Sequence, residues 1–169
     1  MTTNRGIATA TKNAAGILAV LLALAGCAGS PAVLGPGNTG ATAGGAAPGS
    51  AQDFAVNVGD RVFFESDSTS LSDQARATLD RQAAWLALYP RYNVTVEGHA
   101  DERGTREYNI ALGARRAAVT REYLAGHGVA TNRMRTISYG KERPVALCND
   151  ISCWSQNRRA VTVVENAGA

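Results

Sequence analysis

The chain has 169 residues, which is one domain with room for a tail, and its 45% hydrophobic and 18% charged content is ordinary for a globular protein. The net charge of +3 overstates its basic character: Arg5 and Lys12 precede a stretch, residues 13–52, without any Asp, Glu, Lys or Arg. Beyond residue 26 the balance is 15 basic to 14 acidic residues. That removes the main support for nucleic-acid binding, which needs a concentrated basic face.

In chain order, Ala14–Cys27 (AAGILAVLLALAGC) is almost wholly apolar and shorter than the roughly 20 residues of a membrane span. A basic start, a short apolar run and small residues at its end make residues 1–26 an expected secretory signal. The end, Leu24-Ala25-Gly26-Cys27, resembles the lipobox of bacterial lipoproteins. The resemblance implies that Cys27 becomes an acylated (palmitate-bearing) mature N-terminus, a membrane anchor. Ala28, where Asp would favour the inner membrane, implies the outer membrane, with the domain in the periplasm. Residues 27–52, rich in Gly, Ala, Pro, Ser and Thr, read as the lipidated N-terminus and a flexible tether, with an r.m.s. span of roughly 25–30 Å. The folded domain is expected over 53–169.

Within it, residues 61–64 form a short apolar strand. Ala75, Leu79, Ala83 and Leu86 recur on one helical face between Ser72 and Leu88, with Pro90 as the stop. Residues 92–97 alternate as a half-buried strand. A loop covers 98–104. A second helix runs from near Thr105 to a glycine cap at Gly126 or Gly128. Strands follow at 134–139 and 160–165, separated by irregular chain over 141–151 and a helical turn at 154–158. The order βαβαββ predicts an α/β two-layer sandwich, a mixed sheet with helices on one face.

GHADERGTREYNIALGARRA, Gly98–Ala117, concentrates charge of both signs at one loop and the helix after it. Asn109, Leu112, Arg116, Thr120 and Tyr123 fall on one helical stripe. Arg116 leans back toward the loop carrying Asp101, beside a helix N-terminus that favours anions. An acid and a guanidinium facing one space suit an amino-acid zwitterion. Spacing alone leaves two alternatives open: Asp101 and Arg116 pair with each other, or the charges are a solvated helix start. Arg106, Glu107 and Arg115 read as solvated surface.

The same residues resemble the OmpA-like peptidoglycan-binding domain, and its Pal-type members most. The family pattern Asn-x2-Leu-Ser/Gly-x2-Arg-Ala-x2-Val-x3-Leu is met by Asn109, Leu112, Gly113, Arg116, Ala117 and Leu124, with Thr120 in place of Val. GHADERGT (98–105), SYGKERP (138–144) and NRRA (157–160) also match. The resemblance implies non-covalent binding of the peptidoglycan stem-peptide diaminopimelate, with Asp101 and Arg116 as the clamp. Asn109 and Leu112 would line the pocket, and Arg103 and Thr105 would lie at its rim. Phe64 and Glu65 stand where the family has Phe-Asp. It further implies a link between outer membrane and wall within the Tol–Pal system, with TolB and other Tol–Pal components as partners, serving envelope integrity and outer-membrane constriction at cell division. No catalytic residue, metal or cofactor is implied. Adjacent carboxylates such as Asp101 and Glu102 rarely converge on one substrate bond, which argues against a hydrolase.

Three features stand outside this reading. Cys148 and Cys153, spaced C-x4-C in an oxidising compartment, form a possible disulfide. His99 is expected to make a structural hydrogen bond. Trp85, Leu88 and Trp154 are expected to pack.

Overall fold

The computed structural model describes residues 46–166. The expected signal, the lipidation site Cys27 and most of the tether lie outside the described residues. Ala51–Asp53 (α1) continues as a π-helical stretch, Phe54–Gly59. Then follow β1 Arg61–Phe63, α2 Asp73–Leu88, β2 Tyr92–His99, α3 Arg106–Gly126, β3 Met134–Gly140, α4 Ile151–Asn157 and β4 Arg159–Asn166. The sheet order is β1-β4-β2-β3. The first two pairings are antiparallel and β2–β3 is parallel. No helix among the described residues is long and apolar enough to cross a membrane.

Alternation builds the core. Val62, Val94, Val96, Met134 and Ala160 are buried on the sheet, and Ala75, Leu79, Ala83, Leu86, Ala117 and Leu124 are buried from α2 and α3. Each of the fully buried leucines contributes about 1.5–3 kcal/mol relative to exposure. One polar link crosses this core with its bonds satisfied: Thr162 Oγ1 donates to Gln82 Oε1 at 2.8 Å, and Gln82 Nε2 donates to the Gly59 carbonyl at 2.6 Å. Ser72 caps α2 through Ala75 N, and Thr105 caps α3 through Tyr108 N. Gly128, at φ +93°, follows the C-cap of α3.

The ordered domain reaches N-terminally of the expected start at residue 53. Gly49 is buried, and its carbonyl accepts from Tyr92 Oη and Arg91 Nη2, each at 2.8 Å. Asp53 accepts from Gly49 N at 2.8 Å and from Trp85 Nε1 at 2.9 Å, and Phe54 is buried against Trp85. Small-residue composition hid this segment, although Ser50 caps α1 through Asp53 N. A second correction concerns Leu88, which is 74% exposed, whereas Trp85 is buried as expected. The helical turn at 154–158 is a full α4 that begins at Ile151, because Asp150 caps it through Ser152 N.

Two glycines set how closely α3 approaches β2. A Cβ on Gly98 would overlap the Gly113 backbone carbonyl, and one on Gly113 would overlap Ser138 Oγ and the Gly98 carbonyl. Gly98→Ala is therefore expected to destabilise the domain by about 3 kcal/mol, since a backbone obstacle forces the elements apart. Urea unfolding of the variant checks this; an unchanged midpoint would show that helix and sheet can separate freely.

Candidate functional site

The loop after β2 and the start of α3 meet the loop after β1 around a pocket of about 270 Å³, lined by Ser66, Asp67, Asp101, Arg103, Gly104, Tyr108, Asn109, Leu112 and Arg116. This is near the lower end for ligand pockets and suits a group the size of an amino acid.

Arg116 forms the floor. It is fully buried. Its Nε donates to the Ser68 carbonyl at 2.9 Å, Nη1 to the His99 carbonyl at 2.9 Å and Nη2 to the Glu65 carbonyl at 3.1 Å. The guanidinium carbon lies 5.2 Å from the centroid of the buried Phe64 ring. A guanidinium has five N–H groups, so among the described residues one on Nη1 and one on Nη2 remain unspent. Burial and the nearby Arg158 lower its pKa to about 10, which leaves it a cation at neutral pH.

Asp101 is also buried, but it does not bond Arg116. Its Oδ1 accepts from Arg103 N at 3.2 Å and Arg103 Nε at 3.1 Å. Its Oδ2 accepts from Arg103 Nη2 at 2.7 Å and Arg158 Nη1 at 3.3 Å. Burial pushes the carboxyl upward, yet the bonds from Arg103 and Arg158 outweigh it and hold its pKa below the usual value. Neither open alternative from spacing describes these charges: Asp101 and Arg116 are not a direct pair, and both are too buried for a solvated helix start.

The other expected site residues divide. Asn109 is buried and donates from Nδ2 to the Arg103 carbonyl at 2.7 Å, fixing the loop. Leu112 supplies an apolar wall. Arg103 spans the mouth, reaching Ser66 Oγ at 2.8 Å as well as Asp101. Thr105 is the cap of α3 and does not line the pocket. Glu65 gives only its carbonyl to Arg116, while its side chain lines a separate groove.

Asp67, Ser66, Tyr108 and Arg158 were not singled out from sequence. Asp67 accepts a short hydrogen bond from Tyr108 Oη and adopts φ +53°, a left-handed conformation that turns the β1–α2 loop. Arg158 is buried and also donates from Nε to the Phe64 carbonyl at 2.9 Å. Its signal was the matched NRRA segment, which had been assigned no role.

His99 departs from its expectation. Its ring is buried, lies tilted 5.6 Å from the Tyr139 ring and, among the described residues, has no hydrogen-bond partner on either nitrogen; its backbone carbonyl serves Arg116 instead. Cys148 and Cys153 are joined in a disulfide, with Cα atoms 5.6 Å apart, so neither sulfur is a free thiolate for a metal. Trp154 donates a short hydrogen bond from Nε1 to Glu102 Oε1, and its ring lies 4.3 Å from the Arg103 guanidinium carbon.

Residues 63–158 match the OmpA family. The chain is 67% identical over 155 residues to a peptidoglycan-associated lipoprotein of Rhizobium meliloti, covering 90% of this chain and 87% of that one. It is 63% identical over 148 residues to one of Brucella melitensis, covering 87% and 88% respectively. The crystal structure of the peptidoglycan-associated lipoprotein from Burkholderia pseudomallei superimposes with a TM-score of 0.65 at 40% identity, over 69% of this chain and all of that one. The C-terminal domain of Helicobacter pylori MotB shares the fold, at 23% identity and a TM-score of 0.60, over 64% of this chain and 86% of that one. These families are structural and not enzymatic. The chain belongs to the OmpA family, among relatives that are peptidoglycan-associated lipoproteins over most of its length.

Proposed function

We propose that the pocket holds the free amino-acid end of diaminopimelate in the peptidoglycan stem peptide, and that the chain tethers the outer membrane to the wall without a covalent bond. One observation carries the reading: a buried Arg116 with two unspent N–H donors faces the same small pocket as two carboxylates, Asp67 and Asp101. The ligand carboxylate takes the Arg116 donors. The ligand ammonium meets Asp67, whose second oxygen makes no bond among the described residues. It reaches Asp101 by replacing a bond from Arg103, which is half-exposed, and not one from the buried Arg158.

Peptidoglycan with lysine in place of diaminopimelate lacks the side-chain carboxylate. Binding to such a wall is expected to be at least about tenfold weaker, the loss of roughly one charge-assisted contact. Pull-down on both sacculi, with free diaminopimelate as competitor, reads this directly. Equal binding to the two walls would refute the zwitterion reading. Asp67→Asn is expected to lower affinity by a similar factor without unfolding the domain, because Asp67 is exposed.

The lipobox-like Leu24–Cys27 and the relatives' name support an outer-membrane lipoprotein with a periplasmic domain. Membership of the Tol–Pal system, with TolB as partner and a role in constriction at division, extends the same reading. Co-purification of a TolB homologue that soluble muropeptide displaces would support it; sacculus binding without TolB capture would leave a wall anchor of another system.

A further inference from the structure

The segment joining β3 to β4 carries a feature that wall binding as described does not use. Residues 141–150 contain no strand or helix, and Val145, Leu147 and Ile151 are 53%, 89% and 73% exposed. Little apolar burial holds this segment, and α4, at seven residues, is too short to persist alone. α4 is tied back to this segment near each of its own ends. Asn157 secures the C-terminal end, accepting from Val145 N at 2.8 Å and donating to the Ala146 carbonyl at 2.8 Å. The disulfide secures the N-terminal end, and Cys153 Sγ also accepts from Cys148 N at 3.2 Å.

The residue directly after Cys153 is Trp154. Its ring faces the Arg103 guanidinium, and its Nε1 holds Glu102, the neighbour of both Asp101 and Arg103. Arg103 is a long, half-exposed side chain that ties the β2–α3 loop to Ser66 on the β1–α2 loop. Such a side chain loses rotamer freedom when fixed, and an aromatic face beneath a guanidinium offsets that loss.

We propose that the Cys148–Cys153 disulfide is a brace for ligand binding. It fixes α4 so that Trp154 forms a platform for Arg103, and Trp154 is a positioning residue for the pocket. This rests on the zwitterion reading above. When the ligand ammonium replaces an Arg103 bond to Asp101, Trp154 and Glu102 keep Arg103 at the mouth. Its Nη1 donors, which have no partner among the described residues, stay available to the ligand carboxylate.

The test is calorimetric titration of the full chain with a soluble muropeptide that ends in diaminopimelate. Four forms are compared: oxidised, phosphine-reduced, Cys148→Ser/Cys153→Ser and Trp154→Ala. Binding is expected to weaken about three- to tenfold in the last three, the range of a lost cation–π platform. Trp154→Phe, which keeps a ring but no N–H, is expected to fall between. The decisive arm is a cycle with Arg103→Ala: on that background, loss of the disulfide is expected to cost no further affinity. Reduced and serine forms that bind as tightly as the oxidised chain would overturn the brace. So would a further loss of the same factor on the Arg103→Ala background, since the disulfide would then act by another route. Absence of binding by the oxidised wild type would instead overturn the zwitterion reading itself. If the serine variant fails to fold, Trp154→Ala with the disulfide intact carries the same cycle.

Discussion

Arg116→Ala is expected to cost about 4 kcal/mol of folding stability, beyond abolishing ligand binding. The side chain satisfies three carbonyls, of Glu65 and Ser68 in the β1–α2 loop and of His99 at the end of β2. Each acceptor left without its charged donor costs about 1–3 kcal/mol, and water entering the vacated space returns part of that. The guanidinium also covers the Phe64 ring. Arg116→Lys keeps a cation, but a compact ammonium cannot reproduce the planar fork; about 2–3 kcal/mol is expected to be lost. Chemical denaturation at pH 7 measures both. An alanine variant within about 1 kcal/mol of wild type would mean that the carbonyls are served by solvent, and that Arg116 is a ligand contact and nothing more. The stability effect also means that lost binding in an Arg116 variant is informative only at a temperature where the variant is shown to be folded.

Between pH 6.5 and pH 4 the domain is expected to lose about 3 kcal/mol of stability through His99. Burial is the main cause that lowers its pKa to about 4, with Arg159, Arg143 and Arg61 adding to it. Glu97 Oε2 lies 3.6 Å from Nε2, the one carboxylate paired with the ring among the described residues, and it does not reverse the direction. In the unfolded chain the imidazole takes a proton near pH 6.5. Within the window the unfolded state therefore binds more protons, and stability falls as pH falls. A difference of about 2.5 units corresponds to about 3 kcal/mol at 1.36 kcal/mol per unit. His99→Phe removes no hydrogen bond, because neither ring nitrogen has one, and is expected to flatten this slope. Asp101, whose pKa is depressed, adds a separate loss in the same direction only as pH falls below the usual carboxylate range. Urea titrations at pH 7, 5.5 and 4.5 separate the two. A wild-type curve flat across those values would show that the buried ring accepts its proton without cost.

The sheet, α2 and much of α3 are legible because their periodicities are long: Leu79 and Leu86, Val94 and Val96, and Leu112 fall where the spacing puts them, while at the end of the α3 stripe Leu124 is buried and Tyr123 only partly so. The N-terminal turn was not, because Gly49 is held by its carbonyl, and a backbone acceptor has no side-chain signature. The same reason hid what Arg116 does. Its stripe was visible, but its partners are three main-chain carbonyls that no residue letter announces. Asp101 and Arg116 were rightly placed near one space, yet spacing along one helix cannot reveal that Arg158, 57 residues further on, also reaches Asp101. Asp67 carries no sequence signal of its own: it lines the pocket from a loop position at φ +53° that no periodicity marks.

The strand order gives the pocket a place in time as well as in space. Among the described residues β1 pairs in the sheet with β4 alone, the last of the described elements. Until β4 is laid between β1 and β2, β1 has no strand neighbour to hold the loop whose Glu65 and Ser68 carbonyls meet Arg116, and Arg158 is not beside Asp101. Closing contacts of such long sequence separation is the slow part of reaching a native topology. A partly folded or incomplete chain can therefore form α3 and still present no pocket. Under the proposed function, ligand binding requires β4 to have docked, because the two loops and Arg158 meet only then.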